Sequence, residues 1–550
     1  MKKSIYSQLV CLIIALGLGL GIAQAQESNV EIVTTYTPEI ASATKLLAPT
    51  SIADDPRIDP DIAYQVTPSL WQISLDAHNF NPARASYWDY ISYKRLFAKV
   101  AAGYPLATDG RIRYTLQTPK VGYLGIGLDH TADLAARTSE FGSRTIGESF
   151  AMHNGASVGG GLFVGNYLLE GAIKYDNDIY NSYAAETPER LVFHDASVGV
   201  KFGDEFVDLT HLNFSVEAHA GLWSHRLPMI TDELESAQMY NAGGRALLAR
   251  DFSGNTVTLE LEGDAWGGNR PELSLGGGVG YARKFGFVHL EAGLKYLYDK
   301  VKMQDRASHY LLPRAKVLFD LDKVSFVPYI EISSEVRHNT LEALYEANPY
   351  IWFDSNRLAI ARLSNSLDYN LSLGFNGTVF SSRLAYHVYA GASFMRDHLF
   401  WCATDPGLYS VTTGNNTRIF VGVGAEATPI AGLKLDLDFL YNFDNASAMY
   451  LLSEPNMRGN ISAEYTLRKW KFYVGGELLG ARSCSVIREG VLSQYDMPLT
   501  FDLGAGLSYR INRHIELYAD GKNLLNSKIY DFVDYYRPGA GFMLGIKMDF

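Results

Sequence analysis

The sequence predicts an all-β fold, a transmembrane antiparallel β-barrel of about 22 strands with both termini in the periplasm. Three observations predict it. From residue 94 to the C-terminus, runs of roughly ten residues alternate apolar with polar side chains and are separated by turns. The chain begins with a leader of the exported kind. No later stretch approaches the ~18 apolar residues of a spanning helix, so a spanning structure has to be a closed barrel.

Residues 1–25 are the leader. Met1-Lys2-Lys3 is a basic start, Leu9 to Ala23 is an apolar run, and Ala23-Gln24-Ala25 is a small-x-small cleavage site. Cys11 opens the apolar run and does not follow it, which excludes a lipoprotein signal. Residues 26–93 differ from the rest. Pro38, Pro49, Pro56, Pro60 and Pro68 leave no room for a helix, and strand alternation is poor. This stretch is expected to be an extended periplasmic segment. Val30, Ile32, Leu46 and Ile58 make it more apolar than a solvated tail, so it is a candidate hatch for the barrel mouth.

Residues 94–550 are the predicted barrel. Its clearest strand is the last, where Phe542, Leu544, Ile546, Met548 and Phe550 share one face. This row is expected to face lipid and to serve as the signal for the barrel-insertion machinery. Elsewhere Val257, Leu259 and Leu261 alternate with Glu260, Glu262 and Asp264, and Leu433, Leu435 and Leu437 with Lys434, Asp436 and Asp438. Glu291 and Arg418 hold the same polar register in their strands, so these eight charged residues are expected to face the lumen. Strands are placed near 94–104, 148–158, 162–178, 382–396, 415–428 and 539–550, among others, with Gly159-Gly160-Gly161 as a turn and 397–414 as a long loop. Their even number agrees with bacterial barrels, and short and long connections alternate.

Composition narrows the function. The formal net charge is −12 and no basic patch stands out, so nucleic acid is not an expected partner. Charged residues are only 20%, while aromatic residues reach 13%, which excludes a disordered chain. Of three cysteines, Cys402 and Cys484 remain after the leader, both in predicted extracellular loops, and are a candidate disulfide. No His-Glu-x-x-His metal motif and no phosphate loop occurs, so neither metal nor cofactor is expected. Gly155-Ala156-Ser157-Val158-Gly159 spells a nucleophile elbow, but that mechanism needs a strand-to-helix turn, and none is predicted there. The chain is not expected to be an enzyme. Loop aromatics gather at Tyr345, Tyr350, Trp352 and Phe353, and at Tyr530, Phe532, Tyr535 and Tyr536. Carbohydrate stacking is one interpretation; belt residues and internal loop packing are the favoured one.

The C-terminal end resembles that of TonB-dependent receptors. Gly521-Lys522-Asn523-Leu524-Leu525-Asn526, then Tyr530, Tyr536-Arg537-Pro538-Gly539 and the strand to Phe550, is similar to that family's Asn-Leu-Phe-Asn turn, Tyr-containing loop and terminal aromatic strand, with Leu525 in place of Phe. Val30-Glu31-Ile32-Val33-Thr34-Thr35 is similar to the family's short energising box. The family implies a plug domain of over a hundred residues before the barrel, for which residues 26–93 are too few. The resemblance is therefore to a plug-less relative in the outer membrane of a Gram-negative bacterium. It implies passage or gating of a bulky solute. The alternative is a scaffold barrel in an outer-membrane assembly or export complex, held by a periplasmic or outer-membrane partner.

Overall fold

The computed structural model describes residues 95–550 apart from 119–120, 136, 140–141, 145–148, 186–187, 227–235, 322–325, 352–358, 405–406 and 446–453. The leader, the Pro-rich segment with its Val30–Thr35 stretch, and the loop residues Trp352 and Phe353 lie outside the described residues.

The wall is built from β1 (Leu96–Tyr104), β2 (Ala107–Thr118), β3 (Gly122–Asp133), β4 (Ala151–Val164), β5 (Tyr167–Asn181), β6 (Arg190–Gly203), β7 (Asn213–Arg226) and β8 (Ser236–Asp251). It continues through β9 (Asn255–Gly268), β10 (Glu272–Phe285), β11 (Val288–Val301), β12 (Ser308–Phe319), β13 (Phe326–Arg337), β14 (Ser366–Val379) and β15 (Leu384–Ala403). It ends with β16 (Tyr409–Ala427), β17 (Leu433–Asp444), β18 (Met457–Leu467), β19 (Trp470–Leu479), β20 (Thr500–Arg510), β21 (Ile515–Lys522) and β22 (Gly541–Asp549). Each pairs antiparallel with its sequence neighbour, and β22 also pairs with β1, so 22 strands close a ring. The hairpin Arg482–Arg488/Val491–Met497 joins this sheet only through a short parallel bridge to the end of β15.

The alternation decides which face each residue takes. Leu259, Leu261, Leu294, Leu373, Val421 and Leu544 stand exposed on the outer face, as a lipid-facing wall requires. At the seam Val100 pairs with Ile546 and Ala102 with Leu544. Phe542, Leu544 and Phe550 are exposed, and Ile546 and Met548 are half-buried.

One end of the ring carries mostly short turns. Two of them, after β4 and after β10, turn at Gly165 (φ 64°) and Gly286 (φ 59°). The other end carries the long connections, of which 338–365 is the longest and holds the helix α1 (Leu341–Ala347). The Thr340 hydroxyl accepts from the Ala343 amide and caps α1.

Two expected boundaries are corrected. Gly159-Gly160-Gly161 is not a turn but part of β4, which runs on to Val164. The glycines are there for clearance: a Cβ on Gly161 would sit 2.6 Å from the Tyr123 ring. Segment 397–414 is mostly strand, because β15 and β16 run beyond the others, with a bulge between Met395 and His398.

Candidate functional site

The distinctive feature of the described barrel is its loop end. Near that end several inward-facing positions are apolar: Phe193 on β6, Trp223 on β7, Met239 on β8, and Leu297 and Tyr310 on β11 and β12, all buried. A polar lumen would not bury them: Leu297 and Tyr310 pack with Leu312 and Leu367 of the wall, and loops cover the others. Tyr183, α1 with Leu341, Leu344 and Tyr345, then Tyr350, Tyr409, Val486, Val533 and Tyr535 form one apolar core with Phe193 and Trp223.

The contacts are specific. The Tyr350 and Tyr535 rings stack with centroids 3.5 Å apart, and Tyr183 meets Tyr535 edge-on at 5.0 Å. The Tyr345 ring lies 5.5 Å from Phe193 and 5.4 Å from Trp223. Hydroxyls tie the same rings to backbone: Tyr409 donates to the Val533 carbonyl at 3.0 Å, Tyr535 to Gly407 at 2.7 Å, and Tyr183 to Tyr536 at 3.2 Å. Strands β6 and β16 stand on nearly opposite sides of the ring, so loops that share one core with both converge over the mouth. Each buried aromatic or aliphatic side chain contributes about 1.5–3 kcal/mol, so the loops are held against the wall residues they share this core with. Tyr345, Tyr350, Tyr535 and Tyr536 are thus packing residues, the favoured of the two expectations for the loop aromatics.

A polar clamp holds the base of the 338–365 loop. Arg270, 1% exposed, forms an ion pair with Glu272 and donates to the Leu363 carbonyl and to Asn365 Oδ1, both at 3.0 Å. Asn365 Nδ2 donates to Glu272 Oε1 and Asp299 Oδ2, both at 2.6 Å. His338 Nδ1 lies 2.5 Å from Glu272 Oε1. Asn339 donates to the Ser364 carbonyl at 2.6 Å. Nothing in the sequence spacing joins residues 270, 272, 299, 338 and 365; only strand register does.

Of the eight charged residues expected in the lumen, five lie in ion pairs and Asp264, Glu291 and Asp438 lie beside histidines. Glu260 pairs with Arg245 at 2.9 Å and Lys295 at 3.5 Å, and Glu262 with Lys295 at 2.5 Å. Asp264 meets His219 at 3.0 Å, and Glu291 meets His289 at 3.1 Å. Arg418 pairs with Asp444 at 2.7 Å and Glu454 at 2.9 Å. Lys434 pairs with Glu426 at 3.1 Å and Asp436 at 3.4 Å, and Asp438 lies 3.9 Å from His387. Toward β16–β21 the wall turns acidic. A cavity of about 960 Å³ there is lined by Glu426, Asp436, Asp438, Glu477, Asp502 and Asp520, with His387 and Lys522.

Cys402 pairs in register with Ser485, the residue after Cys484, so the two segments expected to share a disulfide are neighbours. The Gly155–Gly159 stretch lies inside β4 with no strand-to-helix turn, and His153 there is paired with Asp178 at 2.8 Å.

Glu342 on α1 gives the cap a pH dependence. Burial first, then the nearby Asp195 and Glu346 carboxylates, push its pKa from 4.5 up to about 7. The folded cap therefore holds a proton that the unfolded loop releases. This contribution is fully present below pH ~4.5 and is lost as pH rises through about 7. Trypsin cleavage at the exposed Arg362 reads it out. Near pH 5, wild type and Glu342→Gln should be cleaved at similar rates; near pH 8, wild type should be cleaved faster. A constant ratio across that range contradicts the assignment.

Comparison with known proteins agrees on the fold. No protein-family model and no curated protein matches the sequence. Solved structures do match. The copper transporter OprC is 12% identical, with a TM-score of 0.64 over 84% of this chain and 82% of its own. The FrpB iron transporter from Neisseria meningitidis (F3-3 variant) is 10% identical, with a TM-score of 0.66 over 84% and 82%. The ferric-catecholate import receptor Fiu from K12 E. coli is 9% identical, with a TM-score of 0.61 over 83% and 82%. The 22-stranded barrel fold is shared with these transporters and this import receptor.

Proposed function

We propose that this chain is a plug-less outer-membrane transport barrel, with both termini in the periplasm, that passes a bulky solute through a mouth kept shut by its own loops. The observation that carries this is the convergence of loops from opposite sides of the ring into one apolar core. A 22-stranded wall without a filling would leak, and a chain that closes its own lumen needs no partner for that purpose. The mixed-charge wall suits a hydrated path, and the acidic stretch along β16–β21 favours cationic over anionic solutes. Likeness to transporters and import receptors in fold supports the same role.

Permeability tests it in cells. Replacing residues 341–361 by a short Gly/Ser linker should leave the barrel in the outer membrane and make the cells sensitive to large antibiotics that the outer membrane excludes. Unchanged sensitivity with normal barrel levels argues against a closing cap.

A further inference from the structure

We propose that Glu272, Asp299 and His338 form a site for one divalent transition-metal cation that locks the 338–365 loop onto the barrel wall. One ligand atom from each of the three lies within 4.8 Å of the other two. Glu272 and Asp299 come from the wall strands β10 and β11, while His338 opens the loop, so a shared ion would bridge wall and loop.

A second observation points to a ligand. Asp299 is 2% exposed, and while its Oδ2 accepts from Asn365, its Oδ1 has no hydrogen-bond donor among the described residues. A buried carboxylate oxygen left in this way demands an explanation. Arg270 does not supply one, because it is held by Glu272, the Leu363 carbonyl and Asn365. Arg270 and the His338 imidazole face the two carboxylates, so a cation entering here takes the place of the imidazole proton. Two carboxylates and an imidazole nitrogen are the donor set of Zn²⁺, Mn²⁺ or Fe²⁺; Mg²⁺ and Ca²⁺ prefer oxygen alone. Ligands ~2.0–2.2 Å from zinc stand about 3–3.6 Å apart, so small side-chain rotations complete the site. His338 would offer Nδ1 as a lone pair with its proton on Nε2. Asn365, hydrogen-bonded to both carboxylates at 2.6 Å, would orient them.

The proposal does not rest on transport, and its test does not measure transport. Untagged full-length protein in detergent is equilibrated with micromolar ZnCl₂, washed in metal-free buffer and assayed for zinc by mass spectrometry. About one zinc per chain should be retained, with protection of Arg362 from trypsin. Asp299→Asn and, separately, His338→Gln should weaken zinc retention at least tenfold and abolish the protection. Glu291→Gln, which alters an acid elsewhere on the wall, should change neither. No stoichiometric zinc on the wild type overturns the proposal, whatever the variants do. So does equal retention by wild type and both variants, which would place the zinc elsewhere. Equal protection by MgCl₂ overturns the assignment to a transition metal.

Discussion

Deleting residues 541–550 is expected to abolish the folded barrel. β22 lies between β21 and β1, and its register runs along the full length of both partners, from Ile515–Met548 to Lys522–Gly541 and from Phe97–Asp549 to Tyr104–Phe542. Without it the ring is an open sheet with two bare edges. Each unpaired N–H or C=O group costs several kcal/mol in hydrocarbon, so an open edge does not survive there. The lost segment also carries the outward row Phe542, Leu544, Ile546, Met548 and Phe550, proposed above as the assembly signal. The heat-modifiable band of an inserted barrel should vanish from outer-membrane fractions. Leu544→Asp, which keeps every backbone pair but places a charge on the exposed face, should lower insertion without abolishing it. A normal heat-modifiable band from the deletion variant would refute the closing role of β22.

Arg270→Met is expected to release the cap at its base. It takes the guanidinium partner from the buried Glu272 and leaves it only His338 and Asn365, which costs on the order of 3–5 kcal/mol. It also strips two hydrogen bonds from the loop, at Leu363 and Asn365. Opening of the 338–365 loop should rise on the order of a hundredfold or more, seen as faster amide exchange across the loop and faster trypsin cleavage at Arg362. The barrel wall should keep its heat-modifiability. The double change Arg270→Met with Glu272→Leu removes both charges together and should recover much of the protection. If Arg270→Met exchanges as slowly as wild type, the clamp does not hold the loop.

The wall was largely legible in the sequence because its physics is local. An apolar exterior and a polar lumen impose period two on each strand, so rows such as Val257–Leu259–Leu261 against Glu260–Glu262–Asp264 identify themselves. Errors fell where local signals mislead. Gly159–Gly161 looked like a turn, whereas the glycines make room for Tyr123 within β4. Segment 397–414 looked like a loop because His398 to Trp401 breaks the clean alternation at a bulge. The contacts of the cap were not legible, because Tyr183, Tyr350, Tyr409 and Tyr535 meet only through the closed ring. One signal was present: Phe193, Trp223 and Met239 put apolar groups on the inward register near the loop end, where a cover explains them. Arg270, beside Pro271, reads as an ordinary loop cation until register brings it to Asn365.

The central claim is that the chain's own loops shut the barrel. Single-channel conductance in planar bilayers tests it most directly. Wild type and the variant with residues 341–361 replaced by a short linker should be compared, each with and without residues 27–70, the segment proposed as a hatch. The account predicts near-zero open probability for wild type and large, long-lived openings once the cap is replaced, largest when residues 27–70 are also removed. If replacing the cap leaves conductance at the wild-type level in both backgrounds, the loops do not close the mouth.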